Sequence, residues 1–237
     1  MATTYSVAKA PDSVVNLAAT QTGTAHNFTY APIGVGNLIY LCGAWQASTI
    51  SISVLSTPNI TWFNAGTGVA DTQASFPSGT WAFQQWIGIP STTVSQTSTL
   101  TMSASTTAVQ FDLMEFHAND VGLNPGNWFW IWAKASAAAS TTVTFPNPGR
   151  SSNDGMYVGY AFNGAAPTYT NNTPAGFAYA DDTSTNANGN FFGYNLTYGI
   201  SSAVGAGTQT SQSWYAASIT PYFYPNWVPA TINAGSR

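Results

Sequence analysis

The chain has 237 residues, of which only four are Lys or Arg and eight are Asp or Glu; this charged fraction is 5 %, where a soluble domain ordinarily carries about a quarter. With Lys9, Lys134, Arg150 and Arg237 scattered and a net charge of −4, it lacks the clustered cations that nucleic acid or an anionic membrane surface requires. Hydrophobic residues at 44 % still supply a sizeable core, no apolar run approaches the ~20 residues of a membrane-spanning helix, and the single cysteine, Cys42, excludes an internal disulfide and a thiolate zinc cluster.

In chain order, residues 1–12 read as an extended arm. The N-terminal run MATTYSVAKAPDSVV lacks a charged start followed by an apolar stretch. The expectation is therefore a chain without a secretory leader, made in a cytoplasm and retained there or released by lysis. Short runs rich in β-branched and aromatic residues follow, each bounded by Gly, Pro, Asn or Ser: 13–18, 26–31, 37–45, 49–55, 80–89, 97–103, 107–117, 127–134, 140–146, 155–163, 190–200 and 213–223. This pattern predicts an all-β, antiparallel β-sandwich of jelly-roll type with about a dozen strands, spanning 13–223. No segment carries a 3.6-residue apolar stripe, and AKASAAAS at 133–140 is too short and too Ser-rich for a helix of its own. In 49–55, alternation places Ile50, Ile52 and Val54 on one face. In 127–134, Trp128, Trp130 and Trp132 share one face opposite Phe129 and Ile131, so this strand is expected to be covered twice or to meet a partner. Residues 224–237, with Tyr224, Trp227 and two prolines, read as an extended tail crossing the surface. An aromatic such as Trp227 in that setting is expected to dock on a neighbouring subunit.

Three segment pairs repeat in the same order: 36–45 with 155–164, 80–89 with 190–200, and 108–118 with 213–223. Between the first two members of each set lies a loop with Pro and an aromatic, TPNITWF at 57–63 and TPAGFAY at 173–179. Two related β-halves, about 13–120 and 121–223, are the reading; chance similarity between aromatic-rich strands is the alternative.

Residues able to carry chemistry are few. His26 and His117 lie in separate candidate strands, and no G-x-S-x-G nucleophile elbow accompanies them. By alternation Asp112 faces with Met114 and Phe116, while Glu115 faces with Phe111, Leu113 and His117. The two carboxylates then point to opposite sides of the sheet, against a glycosidase pair on one strand. Glu115 is expected to accept hydrogen bonds from backbone or Tyr, and Cys42 to be a buried, inert thiol. The polar loop 181–190 offers Asp181 and Asp182 as weak Ca²⁺ ligands but lacks the acid expected last, Asn195 standing in its place. N-x-S/T sequons at Asn27, Asn59, Asn171 and Asn195 are expected to stay unmodified. No catalytic residue, resident metal or cofactor is assigned. Trp128, Trp130, Trp132, Trp227 and Tyr224 are the candidates for subunit contact or sugar stacking.

The run GNLIYL from Gly36, the Pro-aromatic loop, TWAFQQW from Thr80 and AVQFDLMEFHAND from Ala108 together resemble the β-sandwich, jelly-roll-like virion proteins of tailed bacteriophages, of minor tail or head decoration type. That family's pattern runs G-D-L-L-V, P-S-G-W, an aromatic strand and E-F-x-G-x-D. Here Asn37 replaces the acidic residue, PNITWF replaces the Pro-Gly-Trp loop, and His117 and Ala118 replace the usual small pair. The resemblance spans roughly 30–223. It implies a structural virion role, head decoration or minor tail, with other virion proteins and copies of itself as partners and no catalytic residues to carry over. A carbohydrate-binding module for host-surface glycans is the alternative, and a glycan-cleaving enzyme a third reading.

Overall fold

A computed structural model of the chain describes residues 13–16, 23–46, 50–64, 71–73, 81–106, 109–116, 129–147, 157–163, 170–171, 178–182, 189–195 and 204–222. These residues contain no helix, and thus none long and apolar enough to cross a membrane. They form fifteen strands: β1 (Ser13–Asn16), β2 (Gly23–Tyr30), β3 (Leu38–Gln46), β4 (Ile52–Ser56), β5 (Ile60–Asn64), β6 (Asp71–Gln73), β7 (Trp81–Pro90), β8 (Gln96–Thr106), β9 (Val109–Phe116), β10 (Phe129–Phe145), β11 (Tyr157–Asn163), β12 (Thr170–Asn171), β13 (Ala178–Asp182), β14 (Gly189–Asn195) and β15 (Val204–Tyr222).

All described pairings are antiparallel, and the strands fall into three sheets. A central sheet runs β1-β9-β3-β7-β5, with β6 also on β7; a small sheet runs β2-β8-β4; a distal sheet runs β10-β15-β11-β14-β13, with β12 on β15. The small sheet covers one face of the central sheet. Phe28, Tyr30, Leu100 and Met102 of the small sheet close a core with Ile39, Leu41, Trp45, Trp86, Phe111 and Leu113 of the central one. Alternation dictates this division, since Ile39, Leu41, Gly43 and Trp45 point one way along β3 and Tyr40, Cys42 and Ala44 the other. Gly43 is required by the close approach of neighbouring rings: a Cβ there would collide with Phe111 and lie 3.1 Å from Trp86.

The opposite face of the central sheet meets the distal sheet. Phe83 of β7 lies against Tyr160 of β11 and Tyr215 of β15, with ring centroids 5.6 and 4.4 Å apart. Tyr160 donates its hydroxyl proton to Asp112 of β9 across the gap. The far face of β11 is covered too, Phe145 lying 2.7 Å from where a Cβ on Gly159 would sit.

The connectivity of the central and distal sheets is the same. Ranked by position in the chain, leaving β6 and β12 aside, each reads first-fifth-second-fourth-third across the sheet. The small sheet has its counterpart as well. The start of β15 lies between the end of β10 (Thr142↔Thr208, Phe145↔Val204) and β12 (Thr170↔Thr208), the order that β8 takes between β2 and β4. The segment pairs 36–45 with 155–164, 80–89 with 190–200 and 108–118 with 213–223 fall on β3 and β11, β7 and β14, β9 and β15, which hold equivalent places. Facing shifts the first alignment by one residue. Cys42 and Tyr160, not Cys42 and Ala161, turn toward the gap between the two sheets, and a one-residue slip exchanges the faces of a strand.

Several sequence expectations need correction. Val54 is 50 % exposed: a register shift between Ile52 and Val54 against β8 breaks the alternation and Leu55 joins the core instead. The segments 57–63 and 173–179, read as loops, contribute β5 and part of β13. The runs 127–134 and 140–146 are parts of one strand, β10, which continues through AKASAAAS because β15 pairs with it throughout, with irregularities near Ser140. Asp181 and Asp182 lie in β13, opposite Phe191 and Asn190, and not in a loop. The arm 1–12 and the tail 224–237 lie outside the described residues.

Candidate functional site: the loop end braced by Glu115

Glu115 is fully buried on β9, between Ile39 of β3 and Ser13 of β1. Its carboxylate faces the small sheet and gathers the β2–β3 connection, residues 31–37. Tyr30 donates its hydroxyl to Oε2. The backbone N–H of Ile33 reaches Oε1 at 3.0 Å and Oε2 at 3.1 Å, and that of Gly34 reaches Oε1 at 3.1 Å. Asn37 donates its side-chain amide to Oε1 at 2.6 Å. Hydrogen bonds to a charged acceptor are among the stronger ones, so one side chain fixes the whole turn. An amide at position 37 can donate to this carboxylate, where a second carboxylate at that distance would repel it.

Neighbouring connections are tied to this turn. Gly36, with φ +75°, lets the chain reverse and donates its N–H to Pro90 at 2.8 Å. Asn59, at φ 59°, turns the β4–β5 link, and its carbonyl accepts the Ser91 N–H at 2.8 Å. The buried Gln96 amide donates to the carbonyls of Val94 and Ser95 at 2.9 and 3.1 Å. From this frame project Ile33, Val35 and Val94, 55 %, 62 % and 66 % exposed, beside the exposed Ser91, Thr93 and Ser95. No residue of 31–37 or 91–95 is charged.

Asp112, three residues before Glu115, faces the other way, as alternation predicted. It is buried against the distal sheet with Tyr160, in a polar row that includes Cys42 and Gln85 on the adjacent strands. Tyr40 donates its hydroxyl to Gln85 Oε1 at 2.6 Å. Burial pushes the Cys42 thiol and the Tyr40 hydroxyl well above their usual pKa values, so both stay protonated near neutrality. The inert-thiol reading of Cys42 fits this setting. Neither described carboxylate reaches solvent, and each binds the chain's own donors.

His26 is buried in the small sheet, and neither ring nitrogen has a hydrogen-bond partner. Burial lowers its pKa. Its setting is that of a core residue. Among the described residues no three His, Cys, Asp or Glu side chains group as metal ligands would.

Of the aromatic candidates, Trp130 and Trp132 lie in β10 opposite Pro221 and Ile219. Trp128, Trp227, Tyr224 and His117 fall outside the described residues. The tryptophans with described side chains are buried (Trp45, Trp86, Trp214) or half-buried (Trp62, whose indole N–H donates to Thr57 at 2.8 Å). The aliphatic loop tips were not among the sequence-derived candidates; the signal available was APIGVGN itself, apolar residues set between turn-forming glycines. No family model, curated protein or solved structure matches the chain.

Proposed function

We propose that this chain is a structural virion protein of a bacteriophage, a head decoration or minor tail subunit, which acts by packing against other virion proteins and copies of itself. The observation that carries the reading is the use of its carboxylates. In a chain with eight acids, the two whose side chains are described are buried and hold strands and turns in place. What the braced loop end offers to solvent is uncharged: aliphatic at Ile33, Val35 and Val94, hydroxyl-bearing at Ser91, Thr93 and Ser95. The resemblance of residues 30–223 to phage virion sandwiches supports the same reading.

The jelly-roll form of the sandwich and the two related halves belong to this proposal. The strand orders β1-β9-β3-β7 and β2-β8-β4 fit the two sheets of a jelly roll, in which the chain crosses between sheets on successive strands. The distal sheet, with the end of β10, the start of β15 and β12, repeats that order and supports a duplication.

The test is particle association. Cryo-electron microscopy and quantitative mass spectrometry of the particles encoded alongside this chain should find it in a fixed copy number on a regular lattice or ring. Absence from purified particles, or glycan binding by an isolated monomer, would overturn the proposal.

A further inference from the structure

We infer that the first half of β2, Gly23–His26, is an acid-released flap: protonation of His26 lifts it from the central sheet, while the Tyr30 end of the strand stays pinned by Glu115.

The first support is where the ring sits. Along β2, His26, Phe28 and Tyr30 point inward and are buried, while Ala25, Asn27 and Thr29 are exposed. His26 is thus shut into the layer between the small and central sheets at 1 % exposure, and neither ring nitrogen has a hydrogen-bond partner. A neutral imidazole is tolerated there. An imidazolium would be a buried charge without an ion-pair partner, which is far more costly. Among the described strands, the ionisable side chains facing this layer are Tyr30 and Glu115, which bind each other roughly 13 Å along β2 from His26. β8, β4, β3, β7 and β5 contribute none to it. Tyr40, Cys42 and Asp112 face the distal sheet, and Asp71 of β6 is registered with Phe83, whose ring faces that sheet too. Burial already holds the His26 pKa below its ordinary value.

The second support is how β2 is held. Among the described residues it pairs with β8 alone, so it is an edge strand. From His26↔Leu100 to Tyr30↔Gln96 the ladder is unbroken; Phe28 lies 6.2 Å from Phe111, and Tyr30 is bound to Glu115. On the other side of His26 the ladder skips. Ala25 pairs with Thr101 and Gly23 with Thr106, so residues 102–105 of β8 stand against Thr24 alone. Ser103, Ala104 and Ser105 are exposed in succession, so none of the three turns inward to hold this end down. The β4–β8 ladder shifts at the same level, between Ile52↔Met102 and Val54↔Thr101. Peeling back Gly23–His26 breaks little pairing and wets the ring, whereas lifting Phe28 and Tyr30 would open the core. Acid favours a conformation that shows the ring to water, and this one is nearest to the closed state.

The test uses the full chain and native-state hydrogen exchange read by NMR, from about pH 7.5 to about pH 5, where most carboxylates stay ionised. At low urea the β8-paired amides within residues 25–27 should be at least about tenfold less protected than Leu41 of the central sheet, with little dependence on urea, the mark of a local opening. Corrected for intrinsic exchange, their protection should fall by about threefold to tenfold over the first pH unit below 6.5. In His26→Gln it should change by less than about twofold over the same unit. The ring gives a second reading that needs no variant at position 26: its NMR signals, told from those of His117 by His117→Gln, should titrate with a midpoint below 6.5. Exchange of residues 25–27 only through global unfolding, with the urea dependence of Leu41, would overturn the inference. So would protection that ignores pH in the wild type, or that keeps its pH dependence in His26→Gln. A ring that titrates at 6.5 or above would overturn it even if His26→Gln failed to fold.

Discussion

Replacing Glu115 with glutamine isolates what the buried carboxylate does for the β2–β3 turn. The substitution keeps shape and volume and removes charge. Glu115 Oε1 receives Ile33 N–H, Gly34 N–H and the Asn37 amide, and Oε2 receives the Tyr30 hydroxyl and shares the Ile33 N–H. A glutamine would leave its carbonyl to the three donors at Oε1 and turn its own NH₂ toward Tyr30, whose hydroxyl can rotate to accept. The geometry survives, but four donors lose charge assistance worth roughly 0.5–1 kcal/mol each. Relief of the desolvation cost of a buried charge offsets part of that sum. The expected net loss is about 2 kcal/mol. Glu115→Ala removes the acceptor altogether from donors on two buried residues, Tyr30 and Asn37, and leaves a void, so about 4 kcal/mol is expected. Urea unfolding followed by tryptophan fluorescence measures both values. Amide hydrogen exchange at Ile33 and Gly34 reports the turn itself and should quicken in both variants. A Glu115→Gln loss under about 0.5 kcal/mol, with unchanged exchange at those two amides, would refute the bracing argument.

Gly43→Ala drives a methyl group into the Phe111 ring with Trp86 behind it, and should cost about 2–3 kcal/mol in the same urea assay. Tyr160→Phe removes the hydroxyl that crosses from the distal sheet to the buried Asp112; a loss of about 1–3 kcal/mol is expected, and a neutral result would show that this bond does not hold the two sheets together. His26 has a folded-state pKa below its ordinary 6.5, so the unfolded chain takes up a proton that the folded one refuses. The contribution of His26 is therefore level above that value and turns unfavourable as pH falls through it, by at most about 1.4 kcal/mol per pH unit, until the folded-state pKa is reached. Urea midpoints measured across that acid range should slope for the wild type and slope less for His26→Gln.

How much of this was legible in the sequence varied with the source of the order. Strands such as β3, β7 and β9 were readable because burial on both faces filled them with Ile, Leu, Trp and Phe in short runs. Asp112 and Glu115 were separable by parity alone, and each emerged on the face expected. β5, β6, β12 and β13 were not read as strands: each is five residues or fewer, and each is a strand because a long neighbour, β7, β14 or β15, offers it a ladder. The first half of β15, VGAGTQTSQ, has no apolar pattern of its own and takes its conformation from β10. Alternation failed at Val54 because a shift in one ladder reverses everything after it. The braced loop end was least visible, since Glu115 lies about eighty residues along the chain from the turn it holds.

The central sheet lies between two others, and this sets a constraint on how the chain is made. β3 cannot complete its ladder until β7 and β9 have been synthesised, and β1 waits for β9. One face then closes against the small sheet, but the other, with Tyr40, Cys42, Phe83, Met114 and Phe116, has its cover only when β11 and β15 have left the ribosome. Such non-local pairing folds slowly. Until then the nascent chain carries an open apolar sheet, and in a sequence with so few charges there is little electrostatic repulsion to keep one such chain from another. The yield of native protein should thus depend on how quickly the second half is translated and seated, and hence on folding assistance acting late in synthesis.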